Sequence, residues 1–184
     1  MRFALFLLRA VIGVLFIGHG AQKVLGKFGG YGPEGTGQFF DSIGLKPGKA
    51  MALAAGGTEM GGGTLLTLGL ATPAAQAGLT SVMAAAVWTV HKDKGIWVSD
   101  GGYEYNLVLV AALFALTAAG PGALSLDEAL GAERTGLGWA LLGLLAGIGG
   151  AAGIITSGQS AGEATPAGGP EVQEAPAGAA PATA

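Results

Sequence analysis

The sequence predicts an all-α integral membrane protein: a four-helix bundle, a fifth transmembrane helix after it and a disordered C-terminal tail. Three observations carry that prediction. Of the 184 residues, 51% are hydrophobic and only 11% are charged, whereas soluble domains usually carry roughly 25% charged residues. Most of the apolar residues fall into runs of roughly 16 to 20 that are nearly free of ionisable groups, and about 20 helical residues span the hydrocarbon of a bilayer. Polar or Gly/Pro clusters separate the runs, as at Thr72-Pro73 and Gly120-Pro121-Gly122, where a helix ends and the chain can turn.

The same composition excludes other classes. A formal net charge of −3 with nine Lys and Arg leaves no basic stripe able to neutralise a run of phosphates, so nucleic acid is not a partner. The chain has no cysteine, which excludes disulfides, thiolate metal sites, cysteine-ligated iron–sulfur clusters and thiol redox carried by this chain.

The first span covers residues 3–22, with Arg9 inside it and His19, Gln22 and Lys23 at its far end. A cleaved signal peptide fits poorly, because Arg9 interrupts the apolar region and no small-x-small site precedes the polar loop. A long glycine-rich connection, 24–49, holds Phe28, Tyr31, Phe39 and Phe40; loops of that length are often covers or binding loops, and a partly disordered link is the other reading. Within it Gly30, Gly32 and Gly35 spell GxGxxG. No strand precedes that motif, no helix is expected to open from it and Pro33 interrupts it, so it reads as a flexible turn and not a dinucleotide site.

The second span, 50–71, carries Glu59 and a run of glycines in which Gly57 and Gly61 form GxxxG, a spacing that lets another helix approach closely in lipid. Thr72 is placed to cap the next helix, with Pro73 at its first position. The third span, 74–91, ends in Trp88, His91, Lys92, Asp93 and Lys94, and the fourth, 103–119, stops at Gly120. Trp97, Tyr103 and Tyr105 suit an interfacial aromatic belt. A fifth apolar run, 136–155, offers Gly143 with Gly147 and Gly149 with Gly153 as close-packing faces. The domains that follow are 1–130 for the four-helix unit, 131–156 for the additional helix and 157–184 for an Ala/Gly/Pro acidic tail without enough apolar residues to order itself.

Alternating helices place His19, Gln22, Lys23, His91 and Glu104 at one membrane face. Glu59 points to it too, about nine residues into its helix, roughly 13 Å deep at 1.5 Å per residue. His19, Gln22 and Lys23 stand at i, i+3 and i+4, on one side of the first helix. Taken singly, these residues have structural explanations: His and Lys are common at helix ends, and Glu104 suits a helix N-terminus. Glu59 differs, because an ionisable side chain within the membrane faces the bundle interior and is by default a functional hypothesis. His19, Glu59, His91 and Glu104 are therefore the candidate catalytic set, expected to converge under the loop of Phe28 to Phe40. Gln22, Lys23, Trp88 and Tyr103 are the candidate cofactor-binding residues. The cluster suits a proton relay, the polar end of a quinone pocket or a metal site. His19 and His91 as axial ligands of haem b is the weaker reading, since histidines near helix ends often contact headgroups or carboxylates, and no metal ligand set is assigned. Arg9, costly at the bilayer centre, either snorkels or pairs with Asp127 or Glu128.

Leu8-Arg9 leading into Gly18-His19-Gly20-Ala21-Gln22-Lys23 is followed by Phe39-Phe40 with Gly44-Leu45, Glu59 among glycines and Val90-His91. Then come Gly101-Gly102-Tyr103-Glu104-Tyr105 and Gly120-Pro121-Gly122 before Leu126-Asp127. In order and spacing this resembles the DoxX family of small bacterial and archaeal membrane proteins, over about residues 1–130. The resemblance implies a four-helix bundle related to the membrane subunit of a thiosulfate:quinone oxidoreductase, in a bacterial or archaeal plasma membrane. It points to an accessory or quinone-proximal subunit, with membrane lipid, an oxidoreductase subunit or further copies of the chain as partners. The alternative is a non-catalytic scaffold or small-solute permeation protein. Nothing in the sequence supplies a sulfur nucleophile, so thiosulfate turnover by this chain alone is not expected.

Overall fold

The structure, a computed structural model, describes residues 1–163, and every regular element among them is helical. The helices are α1 (Arg2–Val24), α2 (Gly32–Ser42), α3 (Gly48–Leu68), α4 (Thr72–Ala86), α5 (Glu104–Ala119), α6 (Leu126–Ala129) and α7 (Leu137–Glu163). Two of them, α1 and α7, are long and apolar enough to cross a membrane.

α1 buries one stripe, Arg9, Ile12, Gly13, Phe16, Gly20 and Ala21, at the three-to-four spacing of a single helix face. That face lies antiparallel on α3, and glycines set how close it comes. A Cβ at Gly20 would stand 2.5 Å from Gly56 O, and one at Gly63 would stand 2.6 Å from Gly13 O. Backbone thus meets backbone at both ends of the seam, which is how helices gain packing energy where lipid provides no hydrophobic drive. The expected Gly57/Gly61 pair is not part of it: a Cβ at either position meets nothing within 4 Å, because both lie on the opposite side of α3. In α7, Gly143 and Gly147 do pack closely, against Gln76 and Thr80 of α4, whereas Gly149 and Gly153 face open space. The rising order of those contacts makes α7 parallel to α4. Gln76 Nε2 donates to Ala140 O at 2.9 Å, tying the pair together.

Ile12 and Phe16 of α1, Leu66 of α3, Ala75 and Leu79 of α4, and Leu113 and Leu116 of α5 form the buried apolar cluster. α4 sits at the centre, in contact with α3, α5 and α7.

The α3–α4 hairpin is tight, with Gly69 at φ 63° ending α3 and Ala71 at φ 48° before α4. Thr72 does not cap α4. The cap is Asp127, whose carboxylate accepts from Ala71 N at 2.9 Å, Thr72 N at 3.2 Å and Thr72 Oγ1 at 3.2 Å. A carboxylate outperforms a hydroxyl there because it can accept from several orphan N–H groups at the positive pole of the helix.

Asp127 is thereby committed, and Arg9 is held in another way. Its guanidinium is wholly buried and donates to the carbonyls of Pro121 (2.7 Å), Leu66 (3.3 Å), Ala123 (2.9 Å), Leu124 (2.7 Å) and Thr67. Neither Asp127 nor Glu128 is a hydrogen-bond partner; Glu128 pairs with Arg2. The carbonyls at the end of α3, together with those of the turn after α5, suit a planar fork of five donors better than one carboxylate would.

The connection 24–49 is more ordered than its composition suggests. α2 opens at Gly32, inside the GxGxxG stretch, with Pro33 in its first turn. It packs against the start of α3, where Gly48 N donates to Asp41 Oδ1 at 2.8 Å and Lys49 pairs with Glu34. At the other end of the chain, α7 runs on to Glu163, into the stretch expected as a tail. The remainder of that tail lies outside the described residues.

Candidate functional site

A cavity of about 460 Å³ lies beneath α2, walled by residues of α1, α2, α3, α4, α5 and α7. Phe39, Phe40 and Ile43 cover it, Phe16 and Val82 contribute apolar surface, and Ile154 closes it from α7. Its ionisable lining residues are Lys23, His19, Glu59 and His91.

Lys23 and Glu59 form the centre of that group. The Gly20/Gly56 approach brings α1 and α3 together, and one turn further Lys23 Nζ reaches both Glu59 oxygens, at 2.9 and 2.7 Å. The Glu59 side chain is 3% exposed and that of Lys23 23%. A carboxylate so deep in an apolar bundle needs a charged donor, and this one receives two hydrogen bonds from a single ammonium.

His19 stands one turn before Lys23. Its Nδ1 lies 3.0 Å from Gln22 Oε1, while Gln22 Nε2 donates to Phe28 O at 3.2 Å. The Phe28 carbonyl can only accept, so the amide nitrogen faces it and the amide oxygen faces the imidazole. Nδ1 of His19 then carries a proton, and in the neutral ring Nε2 holds the lone pair. Gln22 is thus the residue that orients His19 and ties it to the loop; it does not line the cavity itself.

His91 reaches the cavity through a break in helical regularity. After Ala86, α4 widens into a π-helical turn, Val87–His91, the kind of local expansion often found at functional sites. His91 Nδ1 lies 2.6 Å from Gly101 O, another group that only accepts. The same tautomer follows, with Nε2 again holding the lone pair in the neutral ring.

The other expected residues stand apart from the cavity walls. Glu104 accepts from Val98 N at 3.0 Å, clasping the short 3-10 turn Val98–Asp100. Tyr103 occupies the N-cap position of α5. Trp88 is 55% exposed, with Lys92 Nζ 4.3 Å from its ring centroid. None of these three is among the residues that line the cavity. Asn106 was not anticipated. It is 8% exposed, lines the cavity, and its Nδ2 donates to Met83 Sδ at 3.5 Å. A lone amide in the first turn of an otherwise apolar run was the signal available. Among the described residues, no group of three or more His, Asp or Glu side chains is arranged to hold a metal ion.

Outside the membrane-length helices, Glu34 on α2 has its carboxyl held below the usual range. The hydrogen bond from Lys49 is the main cause, followed by a backbone hydrogen bond and the Lys49 charge.

Comparison with known proteins identifies relatives of this chain. A Bacillus subtilis protein named "Putative oxidoreductase CatD" is 39% identical over 121 residues, covering 66% of this chain and 82% of that protein. An "Uncharacterized protein" of Haemophilus influenzae is 38% identical over 63 residues, 34% of this chain and 42% of its own length. No solved structure matches significantly. The DoxX family profile matches residues 4–92, a stretch that contains His19, Lys23, Glu59 and His91, and with the Bacillus relative aligned over most of its length, the chain belongs to the DoxX family.

Proposed function

We propose that this protein is a multi-pass membrane subunit of an oxidoreductase complex, and that its cavity receives the head of a quinone. α1, α3, α4, α5 and α7 are the proposed membrane helices, forming a four-helix bundle with a fifth helix laid parallel to α4. Supporting this, the outer faces of these helices present Phe3, Leu7, Val11, Leu107, Val108, Leu141 and Leu145 to the surroundings, as lipid-facing surfaces do. The face bearing Lys23, Lys27, Lys46, Lys49, Lys92 and Lys94 is proposed as cytoplasmic, since the opposite end offers Arg2 and Arg134 and short basic loops stay inside.

The observation that carries the functional reading is the cavity's polarity. Its walls are largely apolar, as an isoprenoid quinone requires, and the polar groups lining it are an ammonium–carboxylate pair and two imidazoles each held through Nδ1. A quinone, when bound, supplies two-electron chemistry that takes up two protons. Glu59 and Lys23 hold a proton between them and can offer it to a ring oxygen. His19 and His91, each fixed through Nδ1, present Nε2 as a hydrogen-bonding group and base. The electrons require a partner subunit with its own redox group, such as a flavin, because no thiol chemistry is available in this chain. The name of the Bacillus relative favours this over a scaffold in which the same residues only join helices.

The test is extraction in mild detergent followed by an absorption spectrum and analysis of the bound lipids. Co-purified quinone that is lost in Glu59→Gln supports the reading. Protein purified with its native partners but carrying neither quinone nor a redox-active partner overturns it in favour of the scaffold.

A further inference from the structure

The proposed quinone reading assigns the ionisable residues of the cavity; the α5 wall has chemistry of its own. α3 and α5 both pack mainly on α4, and the cavity is lined by Glu59 from α3, by Asn106 from α5 and by Val82, Met83 and Ala86 from α4. Asn106 is buried to within 8% of complete. Its Nδ2 has one protein acceptor among the described residues, a thioether at 3.5 Å, and sulfur of that kind is a weak acceptor. A carboxamide has two donors and a carbonyl, so most of its hydrogen-bonding capacity is unused among the described residues, and the residue lines the cavity. Thr89, the neighbouring polar wall residue on the α4 side, instead spends its hydroxyl on Ala85 O at 2.8 Å. Buried polar groups in apolar surroundings are normally satisfied, and among the described residues Asn106 has only this one weak partner.

We propose that Asn106 is a second ligand contact, and that the cavity takes a flat ring with oxygens on opposite edges. One oxygen meets the Lys23–Glu59 and His19 end, and the other accepts from Asn106 Nδ2. This rests on the quinone reading and narrows it: a 1,4-dioxygenated ring satisfies both walls, whereas a ligand with a single polar head, such as a phenol or a fatty acid, leaves Asn106 unmet.

The test uses the full chain in mild detergent and two probes with the same tail, decylubiquinone and 4-decylphenol. Asn106→Leu, which keeps the volume and removes the amide, is expected to weaken decylubiquinone binding about tenfold, the effect of one good hydrogen bond, and to leave decylphenol binding unchanged. Equal binding of decylubiquinone by the variant and the parent overturns the Asn106 contact while the quinone reading stands; no binding of decylubiquinone by the parent overturns both. A measurement on the parent alone guards against a variant that does not fold. Decylubiquinone labelled with carbon-13 at either ring carbonyl is expected to show both stretching frequencies lowered on binding, and one carbonyl left at its free frequency overturns the two-edged site.

Discussion

Lys23 gives both oxygens of Glu59 a hydrogen bond across the seam between α1 and α3, and the ammonium is the more exposed of the two groups. Removing the lysine alone therefore strands a buried carboxylate. Lys23→Met is expected to lower stability by about 3 kcal/mol, the lower end for breaking a buried pair, whereas Lys23→Met with Glu59→Leu recovers most of that loss. Thermal unfolding in detergent reads both, and a double variant no more stable than Lys23→Met refutes the pair as described.

Arg9 joins the end of α3 to the turn after α5 through carbonyl oxygens alone. Lysine carries the same charge without the planar fork. Arg9→Lys should accordingly lower the melting temperature, with a cost of roughly 2–3 kcal/mol as several buried carbonyls lose their donor. Charge reversal of Asp127 and Glu128 should not rescue Arg9→Glu; recovery of folded protein in that combination would show that a carboxylate holds the arginine after all.

Asp127 caps α4 from a distant loop. Asp127→Ala is expected to cost about 2 kcal/mol through loss of the cap, and amide exchange at residues 71–74 should rise more than exchange at residues 12–16. Uniform exchange changes would argue against a local cap.

The glycine seam predicts a contrast within one helix. Gly56→Val places a side chain against Val24 and Lys23 at 3.0 Å or less, while Gly61→Val meets open space. The first should cut folded yield severely and the second should leave it within about twofold of the parent. Overpacking costs of about 1–3 kcal/mol or more set that expectation. Similar yields for the two would place the α1–α3 contact elsewhere.

The Glu34–Lys49 pair fastens α2 to the start of α3. Because the folded carboxyl is held below its ordinary value, the contribution is complete above the unfolded pKa of about 4.3 and disappears as the pH falls through the lower folded value. Both side chains are largely exposed, so the effect is small. Hydrogen exchange of residues 32–42 should quicken below about pH 4 in the parent and lack that step in Glu34→Gln.

Residue spacing made the helices and their shared face legible, because apolar run length and the depth of Glu59 depend on sequence alone. The same reasoning singled out His19, Lys23, Glu59 and His91, which all line the one cavity. It did not reveal that Glu104, Trp88 and Tyr103 stand outside the cavity lining, since rotation about a helix axis depends on partners. α2 was hidden by glycines that normally oppose helix formation, and its helix is held by Asp41 and Glu34 contacts to α3. The Arg9 carbonyl cage was missed for a related reason: sequence shows which side chains are charged, but not where a helix ends with its oxygens unpaired.

The π-helical turn at Val87–His91 makes the end of α4 sensitive to its winding. A π-turn bonds residues five apart where an α-turn bonds residues four apart, so each residue in it turns the chain by less than the roughly 100° of an α-helix. Rewinding those residues as regular α-helix at unchanged length would swing His91 away from Gly101, whereas deleting one residue of the turn would largely keep its direction. The second imidazole thus owes its placement to one extra residue in the winding of α4, a dependence that Lys23, Arg9 and Asp127 do not share.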